Sequence, residues 1–141
     1  MDVYMVAAPD VSTRYACLIY LVPVSAGYPS PADDYLDGVL DLNQHLIQHP
    51  TATFFVRVAG ESMRDTGINT GDVLIVDRAL TPRDGSVIIA VVNGDLTVKR
   101  LVQRQGELLL VPENSAYPPL AITETTAFEV WGVVTYVIHR V

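Results

Sequence analysis

The chain has 141 residues, nine of them Lys or Arg and sixteen Asp or Glu, which gives a formal charge of −7 with histidine neutral. Half of the residues are hydrophobic and 18% are charged, below the roughly 25% of average chains, so the composition is that of a packed globular protein. An acidic chain with no basic run lacks the charge footprint of a protein that grips DNA or RNA through phosphates, so no direct nucleic-acid binding is expected.

Cys17 is the single cysteine and cannot form an internal disulfide, which favours a reducing, cytoplasmic setting. The longest charge-free stretch, residues 15–32, is interrupted by Pro23, Pro29 and Pro31. Its apolar part, 16–24, falls short of the about 20 residues a bilayer span needs, so no membrane association is expected. Val24-Ser25-Ala26 ahead of Gly27 has the small residues of a signal-peptide cleavage site, yet Asp2 and Asp10 make this leader negative where a signal peptide is positive.

In chain order, residues 1–36 read as an N-terminal arm, with a short apolar strand at 17–22 and a Pro-, Gly- and Ser-containing linker at 23–31. Asp33 and Asp34 form an exposed, solvated acidic pair in that linker region. Residues 37–141 read as the globular domain. It opens with a short helix at 41–48, where Asp41 caps, Gln44 closes a capping box, and Pro50 follows the end. Strands are expected at 54–58, 73–76, 87–92, 96–102, 108–111 and 128–138, all rich in β-branched and aliphatic residues. Asn93-Gly94 between two apolar runs is a hairpin signal, because both residues tolerate the positive φ of a tight turn. The fold class is therefore mostly β: a curled, largely antiparallel domain with one short helix.

Eight of the nine basic residues are Arg, and Lys99 is the only lysine. It sits inside a predicted strand, where period-two alternation puts it on one face with Thr97 and Leu101 and puts Val98 and Arg100 on the other. If the first face is buried, desolvation lowers the ammonium pKa and leaves an amine able to act as a base; otherwise the head reaches water from a strand edge. Ser62 lies at a strand exit in Val58-Ala59-Gly60-Glu61-Ser62-Met63-Arg64-Asp65, either an ordinary turn serine or a nucleophile with backbone N–H groups near it for an oxyanion.

Three serine schemes are tested against this spelling. Gly60-Glu61-Ser62-Met63-Arg64 lacks the second glycine of a G-x-S-x-G elbow, and Ser62-Met63-Arg64-Asp65 lacks the lysine of S-x-x-K. A Ser-His-Asp triad would draw on His45, His49 or His139, but the first two are expected in the last turn of the short helix, where the dipole suits histidine. His45 and His49 are spaced i, i+4, yet Leu46 stands where the H-E-x-x-H motif has Glu and no third ligand follows, so no metal is expected.

Taken together, three segments resemble the LexA-like self-cleaving regulators of the bacterial DNA-damage response, the S24 peptidase family, which use a Ser-Lys dyad. They are Val58-Ala59-Gly60-Glu61-Ser62-Met63, Gly71-Asp72-Val73-Leu74-Ile75-Val76-Asp77 and Thr97-Val98-Lys99-Arg100-Leu101. The UmuD branch is the nearest match, through Ala26-Gly27-Tyr28-Pro29-Ser30-Pro31, Asp41-Leu42-Asn43-Gln44, His49-Pro50 and Trp131-Gly132-Val133-Val134. Only 26 residues precede Gly27, too few for the helix-turn-helix domain of the LexA repressors.

The resemblance implies that Ser62 is the nucleophile, Lys99 the general base, Ala26-Gly27 the scissile bond, and the backbone at Ser62 and Met63 the oxyanion site, with no cofactor. Some relatives carry cysteine where this chain has Ala26, and both are small. It further implies SOS-response activation by a RecA filament on single-stranded DNA as co-protease. The cleaved product would be a homodimer serving a UmuC-type Y-family translesion DNA polymerase. Two other readings are an intermolecular Ser-Lys protease of the signal-peptidase type and a non-catalytic β interaction module in which Ser62 and Lys99 are incidental.

Overall fold

The computed structural model describes residues 1–14, 16–20 and 36–141, which fall into two units: Met1–Pro9 with His49–Val141, and Asp10–Gln48. In chain order the strands are β1 (Asp2–Ala7), β2 (Ala16–Tyr20), β3 (Leu36–Asp41), β4 (Thr53–Ala59), β5 (Val73–Asp77), β6 (Val87–Val92), β7 (Asp95–Arg104), β8 (Glu107–Val111), β9 (Leu120–Ile122) and β10 (Phe128–Ile138). Among the described residues one α-helix, α1 (Leu42–Leu46), follows β3. The mostly β, antiparallel architecture expected from the sequence is present.

In the larger unit the strand order is β1-β4-β5-β10-β6-β7-β8-β9, every pair antiparallel. An additional pairing of β1 with β7, at Asp2 and Thr97, closes the first six strands into a ring. Closure follows from alternation. Val56 and Val58 of β4, Leu74 and Val76 of β5, Ile89 of β6 and Val98 of β7 share one core with Met1, Met63 and Ile68. Their neighbours one residue away, Ile88 and Ala90, turn to a second core with Leu101, Leu110 and Val133. Both sides of β6 are buried, which explains its unbroken apolar run. Each fully buried aliphatic side chain contributes about 1.5–3 kcal/mol.

Turn chemistry sets the register on the β6–β7–β8 side. Asn93 (φ 49°) and Gly94 (φ 89°) form the expected two-residue hairpin loop, and Gln105 (φ 50°) with Gly106 (φ 79°) repeats the arrangement between β7 and β8. Positive φ at both positions matches the right-handed twist of the flanking strands.

In the smaller unit β2 pairs with β3, from Ala16 opposite Asp41 to Tyr20 opposite Leu36. Asp41 caps α1 as expected, its Oδ1 accepting the Asn43 N–H at 3.1 Å. The helix is shorter than the anticipated 41–48 and stops at Leu46, so His49 lies outside it, at the start of the 3-10 turn Pro50–Ala52. Gln44, expected in a capping box, accepts a hydrogen bond from Arg14 Nη2 at 3.2 Å. The linker at 23–31, Asp33, Asp34 and the Ala26-Gly27 bond lie outside the described residues.

Residues 2–7 belong to the stretch read as an arm, yet they form β1, paired with β4 from Asp2 opposite Ala59 to Ala7 opposite Phe55. Their own pattern carries no clean alternation, and the strand forms because two sheet edges receive it. β9 and β3 also went unanticipated, the former only three residues long.

Candidate active site

Ser62 is delivered by the end of β4. Gly60 turns the chain at φ +111°, a conformation that L side chains rarely adopt, and the Thr70 hydroxyl clasps it. That hydroxyl accepts the Gly60 N–H at 2.9 Å and donates to the Gly60 carbonyl at 3.1 Å. The Glu61 carbonyl accepts from buried Asn114 Nδ2 at 2.8 Å and from the Arg64 N–H at 3.2 Å. The Met63 side chain is fully buried in the barrel core, and its carbonyl receives the Thr66 hydroxyl and the Thr66 and Ile68 N–H groups. Ser62, itself only 2% exposed, is thus held between a pinned carbonyl and an anchored side chain.

Lys99 comes from the middle of β7. Its Nζ lies 3.1 Å from Ser62 Oγ, 3.1 Å from Thr97 Oγ1 and 3.0 Å from the Val98 carbonyl oxygen. The expected placement of Lys99 and Thr97 on one face therefore holds. An ammonium has three protons for these three acceptors; a neutral amine has two protons and a lone pair, so one bond must reverse. The Val98 carbonyl cannot donate, and the Thr97 hydroxyl donates to the Met1 carbonyl at 2.9 Å. Ser62 is left as the partner that turns its proton toward nitrogen. The geometry thus selects the Ser62 hydroxyl as the group a deprotonated Lys99 would receive a proton from.

A third group completes the cluster. The α-amine of Met1 lies 2.6 Å from Ser62 Oγ in a buried hydrogen bond, and the Met1 carbonyl accepts the Val98 N–H at 3.0 Å. Burial, then the hydrogen bond and charge of Lys99, lower the pKa of this amine from 8.0 to about 5, with Asp2 opposing the shift.

Sequence reasoning missed Met1, Thr97, Asn114 and the turn at Gly60. Alternation placed Thr97 beside Lys99 without giving it a task, and nothing local marked Met1. Of the histidines weighed for a triad, His49 and His139 pair through Nδ1 with buried Asp77 (2.6 Å) and Asp72 (2.7 Å). Among the described residues no group of three or more His, Cys, Asp or Glu is placed to hold a metal. No helix among them is long and apolar enough to cross a membrane.

Residues 18–135 match the family described as Peptidase S24-like. The chain is similar to Protein MucA of Salmonella typhimurium, 41% identical over 137 residues that cover 96% of this chain and 93% of that protein. It is also similar to Protein SamA of Salmonella typhimurium, 47% identical over 115 residues, covering 82% and 79% of the two chains. The LexA repressor of Bordetella parapertussis is 33% identical over 132 residues, which cover 90% of this chain and 61% of the repressor.

Proposed function

Because this chain belongs to the peptidase S24-like family, we propose that it is a serine endopeptidase that cuts itself between Ala26 and Gly27, with Ser62 as nucleophile and Lys99 as general base. The observation that carries this reading is the 3.1 Å approach of Lys99 Nζ to Ser62 Oγ, with the other Nζ partners unable to give up a proton.

Deprotonated Lys99 takes the Ser62 hydroxyl proton as Oγ attacks the Ala26 carbonyl carbon, and the backbone N–H groups of Ser62 and Met63 receive the developing oxyanion. The tetrahedral intermediate collapses with loss of the C–N bond, Lys99 returning its proton to the departing Gly27 nitrogen. Water, deprotonated by the same amine, then hydrolyses the Ala26 ester and frees Ser62. The products are residues 1–26 and 27–141. One residue thus serves as base and acid in turn, a variant of triad logic.

Gly27 and Ser62 are 62 − 27 = 35 residues apart, so the scissile bond is tethered to its nucleophile. Orientation of this kind removes on the order of 7–11 kcal/mol of barrier. In this reading residues 1–36 are the arm that is cut and 37–141 the peptidase domain. A RecA filament on single-stranded DNA acts as co-protease by favouring the docked arm, a population shift without new chemistry. The cleaved homodimer is the accessory subunit of a UmuC-type Y-family polymerase in the cytoplasmic SOS response.

Intact mass spectrometry after incubation at pH 10 tests the peptidase step. Fragments 1–26 and 27–141 from the parent, absent from Ser62→Ala and Lys99→Ala, are expected. A parent that stays whole at pH 10, and again with RecA, single-stranded DNA and ATP, overturns it. Recovery of a Y-family polymerase and RecA with the 27–141 product tests the partners.

A further inference from the structure

Two backbone N–H groups at Ser62 are left without acceptors. The Arg64 N–H bonds the Glu61 carbonyl at 3.2 Å and closes a four-residue turn whose central residues are Ser62 and Met63, the latter at φ −116° and ψ 17°. The internal bond of such a turn uses the N–H of its last residue, not those of the central two. Among the described residues neither the Ser62 nor the Met63 N–H finds an acceptor elsewhere, although Ser62 is 2% exposed and Met63 is fully buried. Buried N–H groups are nearly always bonded, and a free pair beside a nucleophile is what an oxyanion requires.

Asn114 holds this turn from outside. Its Nδ2 donates to the Glu61 carbonyl at 2.8 Å, so that oxygen carries two donors. The Glu61–Ser62 peptide is trans, with C=O and N–H opposed on one plane, so fixing the carbonyl also fixes the direction of the Ser62 N–H. The amide is itself held. Its Oδ1 accepts the Ala116 N–H at 3.0 Å, which settles which end of the side chain is the donor. The preceding residue ties the same segment to both halves of the site: the Glu113 carbonyl accepts the Asp65 N–H at 2.8 Å, and the Glu113 carboxylate pairs with Arg100, next to Lys99 on β7.

We propose that Asn114 is a positioning residue for self-cleavage, which aims the Ser62 N–H, and through the turn the Met63 N–H, at the oxygen of the carbonyl under attack. The inference rests on the assignment of Ser62 as the nucleophile. Asn114 acts through the Glu61 carbonyl and is not among the hydrogen-bond partners of Lys99 Nζ, which are Ser62, Thr97 and Val98. Its loss therefore spoils the aim of the donors and leaves the base in its surroundings.

Asn114→Asp and Asn114→Ala in the full-length chain test this. The first keeps the side-chain shape and the acceptor for Ala116 but sets an oxygen against the Glu61 carbonyl; the second removes the donor without adding a charge. The appearance of fragments 1–26 and 27–141 is followed across about pH 6 to 10, under whichever conditions cleave the parent, with thermal unfolding alongside. Both folded variants are expected to reach a plateau rate about a hundredfold below the parent, with the midpoint of the pH–rate curve unmoved. A folded variant that cleaves as fast as the parent overturns the proposal. So does a lower rate with a shifted midpoint, because Asn114 would then act on the base and not on the oxyanion donors. A parent that never cleaves overturns the nucleophile assignment and this proposal with it, whereas a cleaving parent with unaffected variants overturns this proposal alone.

Discussion

Replacing Lys99 with arginine separates the charge of this residue from its basicity. In the structure Nζ donates to Ser62 Oγ, Thr97 Oγ1 and the Val98 carbonyl, and a guanidinium offers donors enough for all three. It has no lone pair near neutral pH, so residue 99 can no longer take the Ser62 proton. A positioned general base contributes typically 10²–10⁴-fold, so Lys99→Arg should slow self-cleavage by that factor, about 3–5.5 kcal/mol of barrier. Lys99→Met, which removes the charge as well, should fall in the same range. Adding Ser62→Ala to either should cost no more than Ser62→Ala alone, because the pair acts as a unit. The assay is the first-order appearance of fragments 1–26 and 27–141 at constant pH, with thermal unfolding run alongside to confirm that each variant folds. A folded Lys99→Arg chain that cleaves within about tenfold of the parent would refute the assignment of Lys99 as the base, since no deprotonated guanidinium is available to replace it.

Thr97→Val deletes the acceptor that orients Nζ; cleavage should fall about tenfold or more with the barrel intact, and Thr97→Ser should restore it, as expected of a positioning residue. Gly132→Ala would set a Cβ 2.6 Å from Val76 Cγ1 and 3.2 Å from Arg78 Cγ. Val76 is fully buried, and Arg78 stacks on Trp131 at 4.5 Å while its Nε donates to the Trp131 carbonyl, so neither gives way freely. The expected cost is about 1–3 kcal/mol, read as a lower denaturant midpoint at unchanged slope.

Much of the barrel was legible along the chain because its information is local. β6 and β10 occupy the expected spans, 87–92 and 128–138, since their apolar runs are bounded by turn residues. Asn93-Gly94 adopts the predicted hairpin because the required positive φ is a property of those residues themselves. Lys99 and Thr97 share a face because the strand period is two. Ser62 and Lys99 were paired by motif resemblance alone, 99 − 62 = 37 residues apart, and their 3.1 Å contact depends on β4 and β7 meeting across the ring.

What only the tertiary structure decided has a common cause: each such feature depends on a partner distant in sequence. The short helix ends at Leu46 although the capping pattern suggested two more residues, because capping chemistry specifies a start far better than an end. Thr97 and Asn114 gain their roles from groups that other strands and loops carry to them. Residues 2–7 show no period of their own, and they become a strand because the edge of β4, and β7 at Thr97, supply their backbone partners. Composition, alternation and turn residues thus determined a curled, mostly antiparallel β domain, and the resemblance of its segments to a known family supplied the candidate chemistry. Closure of the ring set Met1 beside Ser62, because the edge of β4 finds its hydrogen-bond partners in a segment far away in sequence.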